Sequence, residues 1–330
     1  MLSRIGCGMV SSLGVIVCRF IFDFSPYSFV IILRWSLAVW AKDVACMVKK
    51  RLTIAIPASM IADTPHLREK TAKIGLVGRA AAIFRVDEVI VYADDLRTNQ
   101  SQELELATTL LTYIETPQYL RKRLFGLKPE LQFAGILPPL RTPHHPVQGS
   151  ISELKVGEYR EGVAVSRTEE GFLVDIGVER PAFLGQSQVT LGSRLTLRVV
   201  KLNGKVEVDL TSREEVPEYW GYTVTIERRG LRKLLERGRF DLTLATSKFA
   251  TRFQDAAKRL EQRWMKAEHM LILFGAPARG LHEIAKDDGA NLNDMVDFIL
   301  NTVPGQGTET VRTEEALLAT LAVLNVQFDK

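Results

Sequence analysis

The chain contains 330 residues, of which 46% are hydrophobic and 25% are charged, and its formal net charge is +4. This composition excludes an intrinsically disordered or collagen-like chain and leaves room for two globular domains. All three cysteines lie in the first 46 residues, so the rest of the chain has no disulfide framework or cysteine-based metal site and suits a reducing cytoplasm.

Residues 1–46 differ from the rest of the chain because they are rich in aromatic and aliphatic side chains. Their longest uncharged stretch, Ile5–Cys18, is shorter than the roughly 18 to 20 residues of a membrane-spanning helix, so we expect no membrane association. Met47 is followed by the basic run Lys49–Arg51 and then by an apolar strand pattern. We hypothesise that translation begins at Met47 and that residues 1–46 are a gene-start error; a genuine membrane-associated extension is the alternative.

From Arg51 onward, the hydrophobic pattern alternates between strand and helix periodicity. The predicted elements are a strand at Arg51–Ser59, a helix at Leu67–Phe84, a strand at Glu88–Tyr92 and a helix at Glu103–Phe125. Strands that alternate with helices in this way predict an α/β domain with a mainly parallel sheet.

The pattern then changes from long helices to turns and short strands. Gly126–Gly149 is rich in proline and glycine, which predicts a linker. It contains His144 and His145, which we expect at the surface, since the histidines show no metal-ligand spacing and no metal is predicted. Short strands are predicted at Tyr159–Val165, Gly171–Ile176, Ser193–Lys201 and Val206–Leu210. Five or so such strands without a helix are typical of a small β-barrel.

After Pro217 the α/β alternation returns. Strands are predicted at Tyr222–Ile226, Asp241–Ala245, His269–Phe274 and Phe298–Val303, and helices at Leu231–Arg237 and Thr313–Phe328. The simplest organisation is one α/β domain (residues 47–140 and 217–330) with a barrel (residues 141–216) inserted into it.

Three loops follow predicted strands in the C-terminal part of the chain. They are Ala245–Lys248, Phe274–Leu281 and Asn301–Thr308. Because α/β proteins bind ligands beyond the carboxyl ends of their strands, we expect these loops to hold one ligand. Gly305 and Gly307 permit positive φ and close approach of the backbone. A nucleotide-like ligand is predicted, although no loop has the glycine spacing of ATP- or NAD-binding motifs.

Five segments resemble a known family. They are DLTLATSKFA (Asp241–Ala250), LILFGAPARGL (Leu271–Leu281), the stretch from Ile299 to Asn325, and the stretches Leu67–Asp95 and Tyr113–Leu140. These segments resemble the SPOUT superfamily, and more narrowly its RNA methyltransferase group with an inserted OB-type barrel. The similarity extends from Met47 to Lys330.

The resemblance implies a C-terminal trefoil knot, a homodimer and S-adenosylmethionine as the methyl donor. It implies that residues of the three loops line the donor site. These residues are Thr246, Gly275, Gly280, Leu300, Pro304, Gly305, Gln306, Gly307 and Thr308.

The resemblance also implies a role for Arg79. The residues around it are similar to the first motif of TrmH-like members, in which the arginine serves catalysis. One departure is that those relatives have glycine at the position of Arg85. The alternative is that Arg79 is a helix-surface arginine paired with Asp87 or Glu88.

Basic and aromatic side chains elsewhere are candidates for RNA contacts, because cations bind phosphates and aromatic rings stack on bases. They are Arg85, Arg121, Lys122, Arg123, Tyr159 and Arg160. Together with the resemblance, they predict an S-adenosylmethionine-dependent methyltransferase of RNA, with ribosomal RNA and a uridine ring nitrogen as the expected target. The alternatives are an RNA-binding assembly factor that has lost catalysis and, if residues 1–46 are genuine, a membrane-tethered protein.

Overall fold

The computed structural model describes residues 50–147, 149–236 and 240–328, together with the backbone of three short strands nearer the N-terminus. These strands are β1 (Gly6–Cys7), β2 (Val17–Phe22) and β3 (Phe29–Arg34), which pair in that order. They belong to a unit of residues 1–49, separate from residues 50–330. The start-site hypothesis for residues 1–46 lies outside the described residues. No helix in the described ranges is long and apolar enough to span a membrane.

The larger unit contains eleven described strands and eight described α-helices, numbered here in chain order. The strands are β4 (Arg51–Pro57), β5 (Glu88–Tyr92), β6 (Tyr159–Arg167), β7 (Phe172–Asp175), β8 (Ala182–Leu184), β9 (Arg194–Lys201), β10 (Glu207–Leu210), β11 (Thr223–Glu227), β12 (Leu242–Arg252), β13 (His269–Leu273) and β14 (Phe298–Asn301). The helices are α1 (Leu67–Ile83), α2 (Ser101–Glu115), α3 (Gln118–Leu124), α4 (Gly230–Glu236), α5 (Phe253–Trp264), α6 (Leu281–Asp287), α7 (Leu292–Met295) and α8 (Thr313–Phe328).

Six strands form one sheet in the order β11-β5-β4-β13-β12-β14, and every neighbouring pair is parallel. Side chains alternate between its two faces, as the period of a strand requires. In β4, Ile54 and Ile56 pack into one core and Ala55 into another. Both faces are therefore buried, which explains the nearly continuous apolar strands. The prediction of an α/β domain with a parallel sheet is confirmed.

Helices cover both faces of this sheet. The larger core holds buried side chains of α1, α2, α5 and α8, such as Leu110 and Leu321. The smaller core holds those of α4, α6 and α7, such as Leu234 and Ile284. The sequence did not lead us to predict α5, although its buried residues Phe253 and Leu260 have helical spacing among charged neighbours.

The single helix predicted at Glu103–Phe125 is wrong. The chain forms α2 and α3 instead, and the break lies at Thr116 and Pro117. Proline disfavours helical geometry in the preceding residue, and Thr116 has an extended ψ of 132°. This break turns α3 toward the barrel, where Tyr119 Oη donates to the Glu161 carbonyl oxygen (2.8 Å).

Five strands form a closed barrel in the order β10-β8-β7-β6-β9, with β9 pairing β10 to complete it. The predicted small barrel is confirmed; only β8 (Ala182–Leu184) was missing from the prediction. Its interior is a separate apolar core that includes Val174, Leu184 and Leu197. This closed five-stranded architecture is OB-like.

The segment predicted as a linker packs against the α/β domain. Leu140 is buried in the larger core. The expectation that His144 lies at the surface is wrong, because its side chain is fully buried. Its Nε2 atom lies 3.0 Å from the Glu115 carbonyl oxygen. The prolines of this segment restrict its backbone, but buried contacts hold it in place.

Candidate functional site

A cavity of about 440 Å³ lies at the carboxyl ends of β12, β13 and β14. The three loops that the sequence singled out surround it. The cavity is lined by Thr246, Ser247, Lys248, Phe249, Phe274, Gly275, Ala276, Pro277, Ala278, Gly280, His282, Glu283, Leu300, Asn301, Thr302, Val303, Gln306, Glu309, Thr310, Val311, Thr313 and Ala316. Residues of all three loops line this one cavity, which we call the loop cavity.

The first loop is a bulge within β12 rather than a turn after it. Thr246 and Thr251 both pair with Leu300 of β14, so the residues between them leave the sheet. The Thr246 hydroxyl donates to the Leu273 carbonyl oxygen at 3.1 Å. Lys248 donates to the Glu309 carbonyl oxygen at 3.0 Å and so joins the first loop to the third.

The second loop is held close to the last helix. The Thr313 hydroxyl, at the start of α8, donates to the Gly275 carbonyl oxygen at 2.8 Å. A Cβ atom on Gly275 would lie 3.1 Å from the Leu281 backbone nitrogen, so this turn favours glycine. Arg279 fixes the tip of the loop by donating to the Asp94 carbonyl oxygen at 2.7 Å.

The third loop contains the two glycines that permit positive φ. Gly305 has a φ of 73°, whereas Gly307 is outside the left-handed region. The Gln306 amide donates to the carbonyl oxygens of Thr308 (2.8 Å) and Glu309 (3.1 Å), which closes the loop on itself. These hydrogen bonds within the loop stabilise its conformation.

The residues assigned to the donor site divide into two groups. Thr246, Gly275, Gly280, Leu300 and Gln306 line the loop cavity. The remaining four belong to the third loop but are not among the lining residues: they are Pro304, Gly305, Gly307 and Thr308.

Sequence reasoning missed several lining residues, among them the exposed Phe249. Its side chain is 86% exposed beside Lys248, whose Nζ atom lies 5.0 Å from the ring centroid. Asn301, Glu309 and Thr313 also line the cavity. Phe249 directly follows the predicted first loop, so extending that loop by one residue would have found it.

A second cavity, of about 510 Å³, lies beside α1 and contains Arg79. Arg79 does not pair with Asp87 or Glu88, so that alternative is wrong. Arg79 Nη1 donates to the carbonyl oxygens of Pro139 (2.8 Å) and Leu140 (2.6 Å). We call this second space the arginine cavity; no residue is shared between its lining and that of the loop cavity.

The other residues predicted to contact RNA are not gathered in one place. Arg85 is exposed and lines the arginine cavity, and Lys122 is exposed on α3. Arg121 donates to the carbonyl oxygens of Thr116 and Ile114, and burial lowers its pKa.

Three further members of that set are held by neighbours. Arg123 is half-exposed and pairs with Asp175 of the barrel. Tyr159 is half-buried and lies near the Arg198 guanidinium. Arg160 is only 2% exposed and pairs with Glu158, so its placement offers no surface for RNA.

A buried polar cluster joins the barrel to the α/β domain. Burial raises the pKa of Glu115, but the charge of Arg194 and a hydrogen bond from His144 outweigh it and hold that pKa at about 2. Burial and the neighbouring His144 lower the pKa of His145 to about 3, which keeps His145 neutral at physiological pH. The cluster therefore holds a carboxylate in its charged form inside the protein.

Comparison with known proteins assigns this architecture to a family. A family described as "Putative RNA methyltransferase" matches residues 51–324, a range that contains both cavities and the barrel. The chain belongs to this family. The prediction of an enzyme that transfers methyl groups to RNA is thereby confirmed.

Individual relatives are similar to this chain over most of its length. A human protein named 28S rRNA (uridine-N(3))-methyltransferase is 34% identical over 306 residues, which covers 83% of this chain and 77% of the human one. An uncharacterized protein of Halobacterium salinarum is 33% identical over 289 residues, covering 83% of this chain and 98% of its own length.

Proposed function

We propose that this RNA methyltransferase transfers a methyl group from S-adenosylmethionine to a uridine ring nitrogen of ribosomal RNA. The observation that carries the proposal is the loop cavity at the carboxyl ends of three adjacent parallel strands. The target is taken from the human relative, whose name specifies N3 of uridine in 28S rRNA. Identity of 34% across 83% of this chain supports a shared reaction.

The residues present fit S-adenosylmethionine. A volume of about 440 Å³ lies within the roughly 300–1,000 Å³ that is usual for ligand sites. Phe274 and Leu300 supply buried apolar surface for an adenine ring, and Glu283 and Glu309 supply carboxylates for a cationic ligand. When bound, the donor supplies an electrophilic methyl group on its sulfonium. We propose that it is held by the five lining residues named above and by the backbone of residues 304–308.

The chain must also orient the acceptor. The uridine ring nitrogen first gives its proton to bulk water, and its lone pair then forms the bond to the methyl carbon as the bond from that carbon to sulfur breaks. A nearby guanidinium favours the negatively charged ring that precedes this step. We propose Arg79 for this role, since its charge is permanent and two carbonyl oxygens fix its position.

A homodimer is part of this proposal, because Arg79 does not line the loop cavity of its own chain. Leu76, Arg79 and Ile83 share one face of α1 by their spacing, and the two apolar side chains are 57% and 51% exposed. On α8, Leu318 and Val326 are 49% and 84% exposed. Exposed apolar side chains on these two helices are typical of a subunit interface. If two copies of the chain pack together through α1 and α8, Arg79 lies at the boundary between the subunits.

The trefoil knot and the role of the barrel also belong to the proposal. In support of a knot, α8 returns to the second loop, where Thr313 binds Gly275. We propose that residues 141–216 form an inserted RNA-binding barrel. In support of that role, Lys205 Nζ lies 4.2 Å from the centroid of the Phe183 ring on the barrel surface. A cytoplasmic location is proposed as well, to be tested by imaging a fluorescent fusion.

Two experiments test the proposal. Isothermal titration with S-adenosylhomocysteine should show binding that Gly305→Trp and Gln306→Ala each abolish while the circular dichroism spectrum is retained. Mass spectrometry of ribosomal RNA after incubation with enzyme and donor should reveal a methylated uridine. A folded protein that binds RNA, does not bind the donor analogue and leaves uridine unmethylated would support the inactive assembly factor instead.

A further inference from the structure

The arginine cavity contains an unusual pair of backbone conformations. Among the described residues, two that are not glycine have positive φ: Arg85 (55°) and Arg141 (53°). Both are exposed, and both line the arginine cavity beside Arg79. Left-handed geometry is unfavourable for a bulky side chain, so it persists where the surroundings impose it or where function requires it.

The structure shows how each conformation is imposed. Arg85 directly follows the C-cap of α1, and the Val86 backbone nitrogen donates to the Ala81 carbonyl oxygen at 2.9 Å. This is the Schellman arrangement, in which glycine usually occupies the position of Arg85. Arg141 directly follows Leu140, whose carbonyl oxygen accepts from Arg79 at 2.6 Å. Arg79 therefore fixes the segment that presents Arg141.

The charges in the cavity are unbalanced. Arg79, Arg85 and Arg141 line it together with a single carboxylate, that of Glu218. No ion pair joins any of these three arginines to a carboxylate within the described parts of the chain. Three guanidinium groups at one open cavity are suited to bind oxyanions, because their forked donors match phosphate oxygens.

We infer that Arg85 and Arg141 form a binding site for the phosphate backbone of the RNA substrate, beside Arg79, which faces the uridine ring in the proposed function. The inference rests on the proposed function and deepens it by assigning where the RNA backbone is held. At both positions glycine would suit the backbone better, and arginine supplies the charge. Arg85 and Arg141 are binding residues in this assignment, and neither is required to hold the methyl donor.

Glycine substitutions test the inference without threatening the fold, since glycine adopts positive φ freely. Arg85→Gly and Arg141→Gly should each weaken binding of a ribosomal RNA fragment by about tenfold at low salt. In a plot of the logarithm of RNA affinity against the logarithm of salt concentration, each substitution should also reduce the slope by the contribution of about one phosphate contact. Affinity for S-adenosylhomocysteine and the melting temperature should not fall. The matched control is Arg68→Ala, which removes the same charge from an exposed position of α1.

The outcomes separate this inference from the proposed function. Wild-type protein that binds neither S-adenosylhomocysteine nor RNA would remove the proposed function and this inference with it. The inference alone would be overturned by a different result. In that case the wild-type protein binds both S-adenosylhomocysteine and RNA, and the two glycine variants bind RNA as tightly as Arg68→Ala does. If the glycine variants instead weaken self-association in sedimentation and leave RNA affinity unchanged, the cavity binds carboxylates of a second copy and the inference is also overturned.

Discussion

Arg194 of the barrel and Glu115 of the α/β domain form a two-pronged ion pair in the protein interior. Nη1 lies 2.6 Å from Oε2 and Nη2 lies 3.2 Å from Oε1. The same guanidinium binds Glu161 through Nε, and Glu115 is only 3% exposed. This paired geometry fixes the orientation of the barrel relative to the α/β domain, which the proposed RNA-binding role of the barrel requires.

Replacing Arg194 should destabilise the protein strongly. Arg194→Met leaves the carboxylates of Glu115 and Glu161 buried without their main partner, and breaking a buried pair in this way costs about 3–5 kcal/mol. Urea denaturation measures the loss. The control is Lys201→Met on the same strand, where the exposed pair with Glu207 is worth at most about 1 kcal/mol. Equal losses in the two variants would contradict the assigned role of Arg194.

Stability should fall in acid because of Glu115. Its pKa is lowered from 4.5 to about 2 in the folded protein, so the unfolded chain binds a proton more readily. The stabilisation is therefore fully present above about pH 4.5 and is lost as the pH falls toward 2. Urea denaturation at several pH values should show this slope, and Glu115→Gln should flatten it. An unchanged slope in that variant would assign the acid sensitivity to other groups.

Gly221 should tolerate no side chain. Its φ is 79°, and a Cβ atom there would lie 2.5 Å from Oε1 of Glu115 and 2.5 Å from Cε1 of His144. Gly204→Ala is the matched control, since Gly204 has a φ of 80° and no atom within 4 Å of the added carbon. We expect Gly204→Ala to cost about 1–2 kcal/mol from backbone strain alone and Gly221→Ala to cost clearly more. Thermal denaturation compares the two, and equal costs would show that the buried cluster moves aside.

Local patterns predicted the sheet and the loops well, because they depend on neighbours in the sequence. The alternation at Ile54, Ala55 and Ile56 follows from strand geometry, and the second and third loops follow from where strands end. The Arg194–Glu115 pair joins residues that are 79 positions apart, so no local pattern indicates it. His144 was misjudged for the same reason: its neighbouring prolines suggested a linker, whereas distant Glu115 determines its burial.

The residues proposed for the donor site illustrate the same limit. The family resemblance, rather than a local pattern, indicated Thr246 and Gly275, and both line the loop cavity. Whether a loop residue faces the cavity depends on contacts between loops, such as that from Lys248 to Glu309. This is why Gly305 was chosen for its backbone freedom but does not itself line the cavity.

The last prediction concerns the stability contributed at Arg85. Arg85 has a φ of 55°, a conformation in which glycine meets no steric penalty. Arg85→Gly should therefore stabilise the fold by about 1 kcal/mol. The substitution removes the steric cost of left-handed geometry for a residue with a Cβ atom. Part of that gain is offset because glycine increases the conformational entropy of the unfolded chain. Guanidinium denaturation measures this gain, with Arg68→Gly expected to destabilise because Arg68 lies in the first turn of α1. A loss of stability in Arg85→Gly would show that the arginine side chain stabilises the fold. A gain in stability would show that it does not, and would support binding as the role of Arg85.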